Sequence, residues 1–270
     1  MKKIITNINK SIYLKESNVK LSKIKGYIEK NVIRVYPNIN ININKCYGMG
    51  SAITYASAYN YSLLSNVKRK ELLKKFFSKE FLNYNFGRIS IGSNDFCKYS
   101  YEYLQIPDLG GFDISEDEKY VIPMLNDIYD IKKISLIASP WSPPKFMKLK
   151  NDLYNGVELK KEYYGLYSDY LLKFVDIYKQ KGFYIDYLSI QNEPYAKQRW
   201  ESCYMDINVQ KDIIYNHLIN KIKDTKIVMH DHNREDIVNI TNQLYSSKVN
   251  CLGIHYYTGT HYNNILHLNH

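Results

Sequence analysis

The stretch IDYLSIQNEP, residues 185–194, runs from β-favouring apolar residues into an amide, a carboxylate and a proline. This pattern predicts a buried strand that closes at Pro194. The strand delivers Asn192 and Glu193 at its C-terminal end, which is where parallel α/β proteins carry their chemistry. Desolvation at that place favours a neutral Glu193, as a general acid requires, and Asn192 can hydrogen-bond a substrate hydroxyl. Three residues are a weak signal, so a surface Glu before a proline turn is the alternative interpretation.

Around this strand, short apolar runs that end in polar, Gly or Pro residues alternate with longer segments of helical period. Six such cycles follow residue 45, and this alternation predicts a parallel sheet with right-handed crossovers. Strands are predicted at residues 46–54, 85–95, 134–140, 185–194, 226–230 and 249–257. Helices are predicted at residues 56–64, 67–77, 117–129, 159–179, 208–222 and 235–245, with Ser115 and Glu118 as a capping box before the third. The predicted fold class is α/β, an incomplete (β/α)8 TIM barrel.

The first 44 residues follow a different pattern. They alternate Ile, Val and Tyr with Asn, Lys and Ser without helical period, which predicts short antiparallel strands at residues 2–9, 32–36 and 39–43. We therefore expect two domains, an N-terminal strand layer at residues 1–44 and a partial barrel at residues 45–270.

Composition excludes several classes of protein. The formal net charge of +10 comes from scattered lysines without a basic block, so no nucleic-acid partner is predicted. The 4 cysteines are far apart, which indicates buried free thiols and neither a zinc knuckle nor a disulfide scaffold. The N-terminus lacks the apolar segment of a signal peptide, and no run reaches the roughly 18 apolar residues of a membrane helix. The cytoplasm is the default compartment, with secretion left open.

Polar and aromatic side chains follow the ends of five successive predicted strands. They are Arg88 and Asp95, then Trp141, then Asn192 and Glu193, then Asp231, His232 and Asn233, and finally His255 and Tyr257. Each has a structural explanation when taken alone, such as an internal ion pair for Arg88 with Asp95. Together they would converge on one rim of a barrel, where carboxylates, a Trp face and hydroxyl-binding groups suit carbohydrate hydrolysis.

A metal site is the rival interpretation. His230 and His232 fall on one face of a strand with Asp231 between them. Two imidazoles without a carboxylate on the same face are too few ligands, so no metal and no cofactor are predicted.

The motifs at these positions resemble glycoside hydrolase family 30, the glucosylceramidase-like retaining β-glycosidases. The matching segments are Arg88-Ile89-Ser90, Ser93-Asn94-Asp95-Phe96, the run SPWSPPKFMK at residues 139–148, Gln191-Asn192-Glu193-Pro194, Asp231-His232-Asn233 and Gly253-Ile254-His255-Tyr256-Tyr257. The resemblance implies a (β/α)8 barrel with a β-sandwich built from both chain ends, to which residues 1–44 would belong. It also implies that Glu193 is the acid/base and that the cleaved sugar is bound by Arg88, Asp95, Trp141, Asn192, Asp231, His255 and Tyr257. The implied substrate is a β-glucoside or glycolipid, of glucosylceramide or β-glucan type.

The sequence departs from the family pattern at Phe146, His230 and Tyr256, where Trp is usual, and this leaves the aglycone open. The larger departure concerns the nucleophile, a second Glu that the resemblance places at the end of a seventh strand, past His270. A retaining mechanism needs two carboxyl groups about 5–5.5 Å apart. Asp95 and Asp231 have other roles by resemblance, and Glu201 is predicted in the loop after Glu193, away from the opposite wall.

Two functions remain open from the sequence. In the first, residues 1–270 are inactive alone and hydrolyse a β-glucoside when a separately encoded C-terminal part supplies the nucleophile. In the second, the chain is a non-catalytic remnant or glucoside-binding fragment of such an enzyme.

Overall fold

A computed structural model describes residues 2–7, 12–18 and 47–257, and the structural statements below concern these residues. The chain divides into two compact units, residues 1–46 and 47–270. In the first unit, β1 (Lys2–Asn7) pairs antiparallel with β2 (Ile12–Asn18). The predicted strands at residues 32–36 and 39–43 lie outside the described residues, and the β-sandwich stays a prediction.

The second unit is built on a six-stranded sheet whose neighbours are hydrogen-bonded in chain order and are all parallel. Its strands are β3 (Gly50–Ala52), β4 (Phe86–Ile91), β5 (Ser135–Pro140), β6 (Ile185–Ser189), β7 (Lys226–His232) and β8 (Cys251–Ile254). The sheet curls into a half-barrel. This confirms the predicted incomplete (β/α)8 barrel of six units, since strictly sequential parallel order requires a crossover between every two strands.

Helices fill these crossovers. They are α1 (Tyr55–Ser62), α2 (Asn66–Phe77), α3 (Ser115–Lys119), α4 (Val121–Tyr129), α5 (Tyr164–Gln180), α6 (Ile207–Asp212) and α7 (Ile237–Leu244). The side chains of Thr54, Ser65 and Asp206 accept backbone N–H groups at the starts of α1, α2 and α6. In the described ranges, no helix is both long and apolar enough to cross a membrane.

Two helical segments differ from the prediction. The predicted helix at residues 117–129 is divided at Tyr120, whose φ of −133° interrupts the helical conformation between α3 and α4. The predicted helix at residues 208–222 continues from α6 as a π-helical turn, Ile213–Leu218.

The predicted capping box of Ser115 and Glu118 is wrong. Ser115 is the first residue of α3, and Ile114 at the cap position makes no side-chain hydrogen bond. The Ser115 N–H donates instead to Asp113 Oδ1 at 2.8 Å, and the Ser115 hydroxyl donates to Asp113 Oδ2 at 3.1 Å. An Asp two residues earlier forms an Asx turn that satisfies the first free N–H group before a capping box can.

A buried carboxylate fixes the long loop that leaves β4. Asp117 accepts hydrogen bonds from the hydroxyls of Tyr103 and Tyr178, both at 2.6 Å, and from Tyr101 at 3.3 Å. Burial raises the pKa of Asp117 to about 6 despite these three donors. The loop that carries Asp95 is therefore anchored to both α3 and α5.

Candidate active site

Backbone hydrogen bonds hold Asn192 and Glu193 in line with the sheet although β6 ends at Ser189. The Asn192 N–H donates to the Pro140 carbonyl at 2.8 Å, and the Glu193 N–H donates to the Asp231 carbonyl at 2.9 Å. Glu193 has a φ of +49°, a left-handed conformation that is uncommon for a residue with a side chain. Such strain occurs where the surrounding structure enforces it, and functional sites are frequent among these places.

The end of β7 is also irregular. His230 and Asp231 have φ values of +72° and +44°, and the pairing of β7 with β8 shifts register between Met229 and His232. The simple alternation assumed from the sequence therefore fails here. His230 bonds through Nε2 to the Asn233 carbonyl at 2.6 Å, and burial lowers the pKa of His230 to about 4. Within the described ranges, no group of three or more His, Cys, Asp or Glu side chains could hold a metal ion.

Asp231 is the centre of a buried charge network. Its carboxylate accepts hydrogen bonds from Arg88 at 3.1 Å, Ser139 at 3.0 Å and His255 Nε2 at 3.0 Å. Burial would raise the pKa of Asp231, but the charges of Arg88 and His255 hold it well below its usual range. The Arg88 guanidinium also donates to Asn192 Oδ1 at 2.9 Å. The ion pair considered from the sequence, Arg88 with Asp95, is therefore replaced by Arg88 with Asp231.

His255 links this network to Glu193. Its Nδ1 lies 3.0 Å from Glu193 Oε1, while its Nε2 faces Asp231 Oδ1. Burial disfavours the charged ring, but the hydrogen bonds to Asp231 and Glu193 outweigh it and raise the pKa of His255 to about 9. The ring therefore bridges the two carboxyl groups, and the orientation of the Glu193 side chain depends on His255.

These side chains surround a cleft of about 500 Å³ at the carboxyl ends of the strands. Seven of the eight predicted site residues line it, namely Arg88, Asp95, Trp141, Asn192, Glu193, His255 and Tyr257. Asp231 lies behind them. The Trp141 ring stacks on the Arg88 guanidinium at 4.9 Å, and only 9% of Trp141 is exposed. Burial and the negative charges of Glu193 and Glu201 raise the pKa of Asp95 above its usual value.

The cleft also includes residues to which the sequence analysis assigned no role. Phe96, Gln198 and Trp200 line it, and Trp200 is 39% exposed. The chain has 2 tryptophans, and both line this cleft. Their rarity in the sequence is the signal that could have identified Trp200. Glu201 is buried and accepts the Ser93 hydroxyl at 2.7 Å, so it connects two loops behind the cleft surface.

The three positions of departure lie in different surroundings. Phe146 packs edge-on against Tyr163 at 5.5 Å, and His230 is buried under the end of β7. Tyr256 is exposed and packs on Tyr257 at 4.7 Å, beside the mouth of the cleft. Of the three, Tyr256 is the one that contacts a residue of the cleft wall, Tyr257.

A parallel half-barrel with a polar and aromatic cleft at the carboxyl ends of its strands defines the class of barrel proteins with a ligand site in that position. Residues 46–270 match the sequence model of the glycosyl hydrolase family 30 TIM-barrel domain. The chain therefore belongs to glycosyl hydrolase family 30.

Individual relatives agree with this assignment. "Putative glucosylceramidase 4" of Caenorhabditis elegans is 28% identical over 251 residues, which are 83% of this chain and 48% of the relative. "Lysosomal acid glucosylceramidase" of Mus musculus is 32% identical over 162 residues, covering 56% of this chain and 32% of the relative. This chain thus spans half or less of the length of these curated relatives.

Solved structures show the same fold. SrfJ from Salmonella typhimurium superposes with a TM-score of 0.82 and 27% identity, covering 97% of this chain and 61% of SrfJ. The endo-β1,6-glucanase BT3312 superposes with a TM-score of 0.74 and 30% identity, covering 79% of this chain and 52% of that structure.

Proposed function

We propose that the chain forms the acid/base half of a retaining β-glycosidase that hydrolyses a β-glucosidic bond. The observation that carries this proposal is the position of Glu193, which lines the cleft with one carboxylate oxygen held 3.0 Å from His255. Family membership and relatives named as glucosylceramidases support the class of reaction.

In this proposal Glu193 transfers a proton to the glycosidic oxygen while the bond from that oxygen to the anomeric carbon breaks. His255 keeps the carboxyl group aimed into the cleft. Arg88 and Asn192 are held together at 2.9 Å on the cleft wall, and they would bind hydroxyls of the sugar that is cleaved off. Trp141 and Asp95 would form the adjoining wall.

The attacking carboxylate comes from elsewhere in this proposal. Asp231 is committed to Arg88, Ser139 and His255 behind the cleft, so its oxygens are unavailable to an anomeric carbon. Glu201 is similarly occupied by Ser93. A carboxyl group outside residues 47–257, from a longer chain or a partner chain, would complete the pair about 5–5.5 Å from Glu193.

The names of the relatives suggest two alternative aglycones. One group of relatives is named glucosylceramidase, and the solved structure that is 30% identical is named an endo-β1,6-glucanase. A β-glucosylceramide and a β-1,6-linked glucan are therefore the two substrates to compare. The exposed Phe96 and Trp200 rings beside the cleft offer stacking faces for either a second sugar or a lipid chain.

The test compares leaving groups in this chain joined to a C-terminal part that carries the second Glu. Glu193→Gln removes the acid, so hydrolysis of an alkyl β-glucoside should fall by about 10²–10⁴-fold, the usual contribution of general acid catalysis. Cleavage of the glycosidic bond of a dinitrophenyl β-glucoside should be much less affected, because that leaving group departs without protonation.

Glu201→Gln is the matched control. It changes a carboxylate in the loop that follows Glu193, and this carboxylate accepts a hydrogen bond from Ser93. It should leave the ratio between the two substrates unchanged. An equal loss on both substrates for Glu193→Gln, or hydrolysis of neither by the wild-type fusion that nonetheless binds glucosides, would refute the assignment. The second result would leave the glucoside-binding fragment as the function.

A further inference from the structure

Lys148 is a fully buried lysine next to the cleft but not in its wall. Its ammonium donates to the Ser142 hydroxyl at 2.9 Å, the Leu153 carbonyl at 2.9 Å and the Ser202 carbonyl at 2.8 Å. An ammonium has three N–H groups, so each of them has one acceptor. All three acceptors are neutral, and burial lowers the pKa of Lys148 to about 8.

The acceptors belong to the two loops that carry the tryptophans. Ser142 directly follows Trp141 in the loop after β5, and Ser202 lies two residues beyond Trp200 in the loop after β6. The two loops are also joined directly, since the Ser202 hydroxyl accepts a hydrogen bond from the Gly156 N–H at 2.9 Å and the Ser202 N–H donates to the Leu153 carbonyl at 3.0 Å. Lys148 adds the connection to Ser142, next to Trp141.

A lysine is a costly choice for this position if packing alone were needed. Removing an ammonium from water without an opposite charge is strongly unfavourable, and lysine is almost never fully buried without a partner. Methionine has similar length and would fill the same space without that cost. The three directed hydrogen bonds are what methionine cannot supply.

We propose that Lys148 is a positioning residue that holds the Trp141 loop and the Trp200 loop at a fixed separation. The two indole rings then line the cleft in a single arrangement, in which Trp141 is shielded by Arg88. The sugar-binding role of that arrangement rests on the proposed function, whereas the position of the indoles does not.

The test measures acrylamide quenching of single tryptophans in the 270-residue chain without any sugar. In a Trp200→Phe background the emission reports only Trp141, which is 9% exposed. Adding Lys148→Met should raise the quenching constant of Trp141 about twofold or more and shift its emission to longer wavelength, because the loop gains freedom to open. In the Trp141→Phe background, which reports Trp200, the same substitution should also raise quenching.

Lys160→Met is the matched control. The Lys160 ammonium donates one hydrogen bond, to the Phe146 carbonyl at 3.1 Å, and does not join the two loops. It should leave both quenching constants unchanged. Leu73→Ala creates a cavity beneath the buried face of α2. It shows how much quenching rises when the chain is destabilised away from the two loops.

Ser142→Ala keeps the proposal testable if Lys148→Met does not fold. It removes the acceptor beside Trp141 and leaves the Lys148 bond to Ser202 in place. Quenching of Trp141 should then rise while that of Trp200 stays constant. Unchanged quenching in Lys148→Met and Ser142→Ala, or a rise that Leu73→Ala reproduces at equal loss of stability, would overturn the proposal. Failure of the chain to bind glucosides affects the proposed function and leaves this measurement unaltered.

Discussion

Replacing His255 with glutamine should remove a pH-dependent part of the stability of this chain. The side chain of His255 is 14% exposed and lies 3.0 Å from both Glu193 and Asp231. Burial disfavours its charge, yet the bonds to the two carboxylates raise its pKa from 6.5 to about 9. The folded chain therefore binds this proton more tightly than the unfolded chain does.

The sign and size of the effect follow from linkage. A raised pKa stabilises the folded state fully below about pH 6.5, and this contribution is lost as pH rises through about 9. A pKa that rises from 6.5 to about 9, at about 1.4 kcal/mol per pKa unit, corresponds to about 3.5 kcal/mol. That is a large part of the roughly 5–15 kcal/mol by which ordinary domains are stable.

The assay is urea unfolding followed by far-ultraviolet circular dichroism at about pH 6 and about pH 9.5, extrapolated to water. Subtracting the His255→Gln variant from wild type cancels other groups that titrate in this window, such as Lys148 with its pKa of about 8. His217→Gln, which changes a half-exposed histidine 3.5 Å from Asp212, is the control and should behave as wild type. A free-energy difference between wild type and His255→Gln that is the same at both pH values would refute the reasoning.

Three further predictions concern the network, the core and the isolated chain. Asp231→Ala should lower the free energy of unfolding by about 3–5 kcal/mol, because it leaves the Arg88 guanidinium without its buried partner. A much smaller loss in urea titration would mean that the pair is solvated. Asp117→Asn should lower the free energy of unfolding by about 1–3 kcal/mol, since an amide oxygen cannot satisfy three tyrosine hydroxyls. Tyr101→Phe, which removes the 3.3 Å hydrogen bond, should lower it less. Equal losses of stability in thermal melts would contradict this ranking. Residues 1–270 alone should neither hydrolyse an aryl β-glucoside above background nor be labelled by a fluorinated mechanism-based glucoside in mass spectra, and hydrolysis that Glu193→Gln abolishes would show that a nucleophile is present.

The order and direction of the strands could be predicted because β4, β5, β6 and β7 each have a clear apolar run, whereas β3 is the short and exposed segment Gly50–Ala52. Residues that follow the strands, from Asp95 to Tyr257, line one cleft for the same reason, and Arg88 reaches it from inside β4. The crossover between two strands, and the end of the sheet where polar residues gather, can be predicted in this way. Both depend on the order of elements along the chain and not on contacts between side chains.

The internal pairing of the site could not be predicted. His255 reaches both Glu193 and Asp231 because the end of β7 takes two left-handed residues and shifts its register with β8. No period in the sequence encodes such an irregularity. Trp200 escaped notice for a related reason, since it lies in a loop where no periodicity applies. The capping box failed because Asp113 competes locally for the same N–H group.

The central claim, that Glu193 belongs to a glucoside site, is tested most directly by titrating the purified 270-residue chain with 1-deoxynojirimycin, a glucose analogue with a basic nitrogen. Both tryptophans line the cleft, so their emission reports occupation of this site. We predict a saturable change that is competed by methyl β-glucoside and weakened about tenfold or more by Glu193→Gln, because a hydrogen bond to a charged group contributes roughly 1.5–3 kcal/mol. Glu201→Gln should leave the affinity unchanged. Emission that stays constant through millimolar ligand, or equal affinity for wild type and Glu193→Gln, would contradict the claim.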